Sequence, residues 1–100
     1  MGTETMTVWG VVNKDGSIGN GKGFSITHQG GGEYIISFSP SFSGMPAISG
    51  SQVNYGSQNE DTRDGVVFPF LNAGSATALT GDSGGSKTDR SFAFIAIGPA

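Results

Sequence analysis

Gly21-Lys22-Gly23-Phe24-Ser25-Ile26-Thr27-His28-Gln29-Gly30-Gly31-Gly32-Glu33-Tyr34-Ile35-Ile36-Ser37-Phe38-Ser39-Pro40-Ser41-Phe42-Ser43-Gly44-Met45-Pro46 is the stretch whose reading decides the fold. Phe24 and Ile26 fall on one face of an extended chain and Ser25 and Thr27 on the other. Tyr34, Ile36 and Phe38 alternate with Ile35, Ser37 and Ser39 in the same way. A period of two is the mark of half-buried β-strands. Gly30, Gly31 and Gly32 supply the positive backbone dihedrals of a tight reversal, so the two runs form an antiparallel hairpin. Beyond it, Pro40 and Pro46 bound a corner that cannot carry ladder hydrogen bonds, with Phe42 tucked inward as an anchor.

The rest of the chain repeats this pattern. Thr7 to Asn13 alternates, and Asp15-Gly16 reverses it. Ile18 to Gly23 carries Gly19, Gly21 and Gly23 at every second position; it lacks the Lys-Ser/Thr of a phosphate loop and reads as a strand face where another backbone or a large ring packs close. Ala47 to Tyr55 resumes alternation, and Gly56 to Asp64 is a long polar loop suited to an exposed functional role. Gly65 to Leu71 is an apolar strand in which Pro69 calls for a sheet edge or a bulge. Ser75 to Thr80 is a short strand, Gly81 to Asp89 a second polar loop, and Arg90 to Gly98 the last strand. Residues 1–6 are a polar stub, and residues 7–100 form a single domain. No window shows helical spacing, so the expected fold is all-β: an antiparallel sandwich of about six to seven strands.

One hundred residues make one domain with a real core. Eighteen glycines would suit disorder, but charged residues are only 13% and the apolar residues are periodic. The net charge is -3, and Lys14, Lys22, Arg63, Lys87 and Arg90 are scattered along the chain, which argues against nucleic acid as a partner. Without cysteine there is no disulfide frame, thiolate metal site or cysteine nucleophile. The N-terminus has neither a basic region nor an apolar run, so a soluble chain without an export signal or membrane insertion is expected, carried outside a cell, if at all, by a larger particle, a dedicated machine or lysis.

The last strand is apolar on both faces, Phe92, Phe94 and Ala96 on one, Ala93, Ile95 and Ile97 on the other. A two-layer sandwich buries only one face of each sheet. Copies of the same chain are the economical cover, and a homotrimer is expected.

Gly81-Asp82-Ser83-Gly84-Gly85 matches the run around a chymotrypsin-like nucleophile, and His28, Asp61 or Asp64, and Ser83 follow that triad order. That mechanism draws on two barrels, about twice this length, and Ser86 stands where a proline usually follows. His28 therefore reads as a solvent-facing strand residue. Asn59 to Gly65 departs from a calcium loop, with Arg63 at a ligand position. One histidine gives no basis for zinc, and no cofactor is expected. A carboxylate pair between the Glu60–Asp64 loop and Asp82 is conceivable for glycoside hydrolysis, and Trp9 and Tyr55 could stack on a sugar.

The N-terminal half, through Val11-Val12-Asn13, Asp15-Gly16-Ser17-Ile18, Gly21 to Ile26 and Tyr34 to Phe38, resembles the glycine-rich β domains at the C-terminal tips of phage tail fibres. The second half, with Ile36 to Phe38, Phe42, Pro46-Ala47-Ile48, Asn59 with Arg63, Gly65 to Leu71 and Ser91 to Ala96, is similar in layout to the H-type lectins. That resemblance implies a six-stranded trimeric sandwich binding N-acetylgalactosamine-type sugars between protomers. The strand from Gly65 lacks the family's arginine and the Gly81–Gly85 loop lacks its tryptophan-histidine pair, so the architecture carries over and the sugar site does not. The reading is a non-enzymatic, lectin-like trimeric attachment module with a cell-surface glycan as partner. Tyr55, Asn59, Asp61, Arg63 and Asp82 are its contact residues. The alternatives are a ligand-free structural oligomerisation domain and a hydrolase using Ser83 or a carboxylate pair.

Overall fold

The computed structural model describes residues 4–54 and 60–100. Among them are eight strands and no helix: β1 (Thr5–Val12), β2 (Ile18–Lys22), β3 (Phe24–Gly30), β4 (Glu33–Phe38), β5 (Ala47–Gln52), β6 (Gly65–Leu71), β7 (Ser75–Gly81) and β8 (Phe92–Pro99). They form two antiparallel four-stranded sheets, β2-β1-β8-β5 and β3-β4-β7-β6. The count exceeds the expected six to seven because the run from Ile18 to Thr27 breaks at Gly23, and its halves join different sheets. β1 starts at Thr5, inside the expected stub, because Thr5 and Met6 pair with Pro99 and Gly98 of β8.

The central hairpin has the expected register. Phe24 lies opposite Phe38, Ile26 opposite Ile36 and His28 opposite Tyr34. Apart from His28, these inward residues meet Val8, Val12, Phe92, Phe94 and Ala96 of the other sheet in one core, which Phe42 enters from the proline corner. Phe42 packs edge-on against Phe38, with ring centres 5.1 Å apart. Tyr34, Ile36, Val12 and Phe92 are fully buried; each contributes about 1.5–3 kcal/mol from loss of contact with water.

Pro69 sits on edge strand β6 at a register shift between Val67 and Phe70. Both devices keep its missing N–H out of the ladder. At the side of the sandwich β5 and β6 approach each other, and Phe68 covers Gly50, where an added Cβ would lie 3.0 Å from its ring.

Outside the core, the last strand keeps its second apolar face. Ile95 and Ile97 are each 44% exposed, beside Trp9 at 48%, which pairs with Ile95 across β1 and β8. Val67 and Phe70 are exposed on the opposite sheet.

Candidate functional site

Strand pairing gathers four connections at one end of the sandwich. Val12 and Gln52 both pair with Phe92, the first residue of β8. Gly65 pairs with Gly81, and Glu33 with Leu79. The β1–β2 turn, the β3–β4 turn, the segment before Gly65 and the segment after Gly81 therefore leave the same end. Between them lies a cleft of about 400 Å³ lined by Lys14, Gln52, Val53, Asn54, Glu60, Asp89, Arg90 and Ser91. Lys14 and Asp89 are shared with a neighbouring hollow that also has Asp15, His28 and Thr88 on its wall.

Arg90 is the hub of the cleft. Its Nη1 is 2.8 Å from Glu60 Oε2, 3.2 Å from Asp64 Oδ2 and 3.4 Å from Gln52 Oε1. Asn54 Nδ2 donates to the other Glu60 oxygen. Gln52 Nε2 donates to the carbonyls of Gly65 and Gly81, tying the end of β5 to β6 and β7 of the facing sheet. The Asp64 side chain is almost enclosed. Loss of water alone would raise its carboxyl; the Asp61 backbone N–H, the contact with Glu60 and the Arg90 guanidinium reverse that and hold it below the ordinary carboxylate value.

Behind Arg90, Asp89 Oδ1 is 2.9 Å from His28 Nε2 and accepts the Gly32 N–H at 2.6 Å. These two hydrogen bonds hold the Asp89 carboxyl below its ordinary value. The His28 ring stacks on Tyr34, with centres 4.6 Å apart and planes 8° from parallel. His28 is thus half-buried and partnered, a correction to its reading as a solvent-facing residue. It occupies an inward position of β3, two residues beyond Ile26. Tyr34, whose hydroxyl donates to the Lys14 carbonyl at 2.7 Å, has its phenol pushed up to about 12 by burial and by the Asp89 charge.

The residues chosen from the sequence are placed differently. Tyr55 and Asn59 lie outside the described residues. Asp61 and Arg63 form a two-pronged pair within their own loop, Arg63 Nε and Nη2 lying 3.0 and 2.9 Å from the two Asp61 oxygens. The Arg63 guanidinium and backbone N–H lower the Asp61 carboxyl, and Asp61 in turn raises Arg63. Asp82 closes its own turn, Oδ1 accepting from Gly84 N and Ser86 N at 2.9 and 3.0 Å. Their neighbours Glu60, Asp64, Asp89 and Arg90 are the ones brought together.

The protease-like string has no matching geometry. His28 is engaged by Asp89, Asp61 by Arg63 and Asp64 by Arg90. Among the described residues no hydrogen bond joins Ser83 to His28, and no group of three acidic or histidine side chains is placed to hold a metal. No helix is long and apolar enough to cross a membrane. The cleft presents amide and cationic donors beside carboxylate acceptors, a set that hydrogen-bonds hydroxyl groups. Comparison with family models, with curated proteins and with solved structures gave no match.

Proposed function

We propose that this chain is a non-enzymatic attachment module that binds a glycan at the polar end of the sandwich and acts as a homotrimer. The observation that carries the reading is the cleft itself: Asn54, Glu60, Asp89 and Lys14 line an open hollow whose walls are braced by Arg90 and Gln52. Sugars are recognised by such fixed donor and acceptor pairs. Asp61 and Arg63, exposed in the segment that leads from Glu60 to β6, are further contacts, as is Asp82 in the turn after β7; Tyr55 and Asn59 keep that role from the sequence alone. Trp9, Ile95 and Ile97 support self-association, since they form an uncharged apolar strip that a single chain leaves open to water. Three weak sites on one rigid assembly then act together.

A glycan array on a sample of known solution mass tests this reading. The expected result is a trimer with a consistent set of glycan hits, reduced about fivefold per site by Asn54→Ala, which removes roughly 1 kcal/mol of hydrogen bonding. A trimer without hits would favour the ligand-free scaffold, and turnover of a glycan or peptide abolished by Ser83→Ala would establish a hydrolase instead.

A further inference from the structure

We propose that Asn20 and Gly21 form a self-modification site, at which the chain converts Asn20 into aspartate or isoaspartate without an enzyme and thereby loosens the edge strand β2. Asn20-Gly21 is the Asn-Gly pair of this sequence. It lies in the middle of β2, which pairs with β1 on one side and, among the described residues, with no strand on the other. Asn20 is exposed, and its side-chain Oδ1 accepts the N–H of Gly21 at 2.8 Å. A carbonyl bond is about 1.23 Å long, so Cγ lies at most about 4 Å from the Gly21 nitrogen, near the separation from which a nucleophile attacks. Glycine at this position has no side chain to cover that nitrogen. A five-residue edge strand whose residues are nearly all exposed also opens locally at little cost, which supplies the small backbone rotation that closes the ring.

The reaction is an internal substitution followed by hydrolysis. The Gly21 nitrogen gives its proton to hydroxide and attacks Asn20 Cγ. The N–Cγ bond forms, the Cγ–Nδ2 bond breaks, and the amide leaves as ammonia, taking a proton from water and restoring the hydroxide. The product is a five-membered succinimide. Water then opens it at one of two bonds: cleavage of N–Cγ gives aspartate, whereas cleavage between the nitrogen and the Asn20 main-chain carbonyl gives isoaspartate, whose main chain runs through Cγ. Water is consumed, ammonia is released, and nothing is oxidised or reduced. Either product places a carboxylate opposite Val11, one more negative charge on a chain of net charge -3. Isoaspartate also lengthens the main chain by an atom beside the register shift between Val11 and Val12, which puts β2 out of step with β1. Asn72 is held differently. Its Oδ1 accepts from Gly74 N and Ser75 N, both at 2.8 Å and both beyond its own neighbour Ala73, whose side chain shields the nitrogen that would attack.

The test incubates the full chain at mildly alkaline pH in heavy-oxygen water, folded and in urea, and follows the peptides around Asn20 and Asn72 by mass spectrometry. The expected result is that Asn20 exchanges its amide for an acid carrying heavy oxygen, about tenfold or more faster than Asn72, and no more slowly in the folded chain than in urea. Asn20→Gln, whose ring would need one more atom, removes the conversion at that position. The acidic product, separated by ion exchange, shows faster hydrogen exchange along β2 and unchanged exchange along β4. A folded chain that reacts more slowly than the unfolded one, a smaller ratio between Asn20 and Asn72, or an acidic product with unchanged exchange along β2 would overturn the proposal. No glycan enters the experiment, so its failure and the failure of the glycan reading are told apart.

Discussion

Gly32 shows how a single residue closes the polar end. It has a φ of +78°, and an added Cβ would lie 2.5 Å from the Thr80 carbonyl oxygen, 2.7 Å from Thr88 N and 3.0 Å from Thr88 O. All three are backbone atoms that cannot swing aside, and the Gly32 carbonyl accepts the Thr80 N–H at 2.8 Å. Its neighbour Gly31 has a φ of +59° and open space around the same position. Gly31→Ala should cost about 1–2 kcal/mol, the price of the left-handed conformation alone. Gly32→Ala should cost well over ~2 kcal/mol, because the clash adds to it. Urea unfolding of the two variants, compared at equal slope, checks the difference. Asp89 supplies a pH prediction at the same scale. Its carboxyl is held low in the folded protein by the His28 and Gly32 hydrogen bonds. A depressed carboxyl contributes stability that is present above the unfolded value near pH ~4 and is lost as pH falls through the folded value. Thermal unfolding should therefore place Asp89→Asn below wild type at neutral pH, with the gap closing in acid; a gap that persists unchanged in acid would assign the loss to packing instead.

At the scale of elements, β8 carries the plainest contrast. Phe92 is fully buried on its inner face and Ile95 is 44% exposed on its outer one. Phe92→Ala should cost about 3–5 kcal/mol and Ile95→Ala, in an isolated chain, well under ~1 kcal/mol. Unfolding measured at concentrations where the chain is monomeric checks both. This alternation is also what made the strands legible: hydrophobic period two located the hairpin, Pro69 announced an edge or a bulge, and Phe42 was recognisable as an anchor between prolines. His28 belonged to the same pattern, since Phe24, Ile26 and His28 occupy successive inward positions, but a lone polar side chain at a strand end gives no sign of the partner that will cover it. The site was harder for a reason of distance. Arg90 meets Glu60 across 30 residues of sequence and His28 meets Asp89 across 61. Those meetings depend on β8 lying between β1 and β5, and strand order leaves no mark in local periodicity. The two polar loops could be identified as functional candidates, whereas the side chains facing the shared cleft could not be separated from those, such as Asp82, that close their own turns.

For the whole molecule the decisive surface is the outer face of the β1-β8-β5 strands. Its outward positions, from Thr5 through Trp9 and Ile95 to Ser51, include no charged side chain. At about 4.8 Å between strands and two residues per outward position, they span roughly 350 Å² of flat sheet, with Thr5, Thr7, Ser49 and Ser51 flanking the apolar residues. Self-association here removes Trp9, Ile95 and Ile97 from water together, with Lys22 of β2 beside Trp9 as the charged rim of the face. The opposite sheet offers Val67 and Phe70, but on a strand kinked by Pro69, a poorer surface for flat packing. On the proposed trimer, Ile95→Lys should reduce the mass in light scattering from three chains to one and remove the dependence of the melting temperature on protein concentration, while Phe70→Lys leaves the mass unchanged. The reverse pattern would move the seam to β6. If neither substitution changes the mass, then these apolar strips are not the seam, and the presentation of three clefts by one assembly loses its physical basis, although each cleft could still be tested singly.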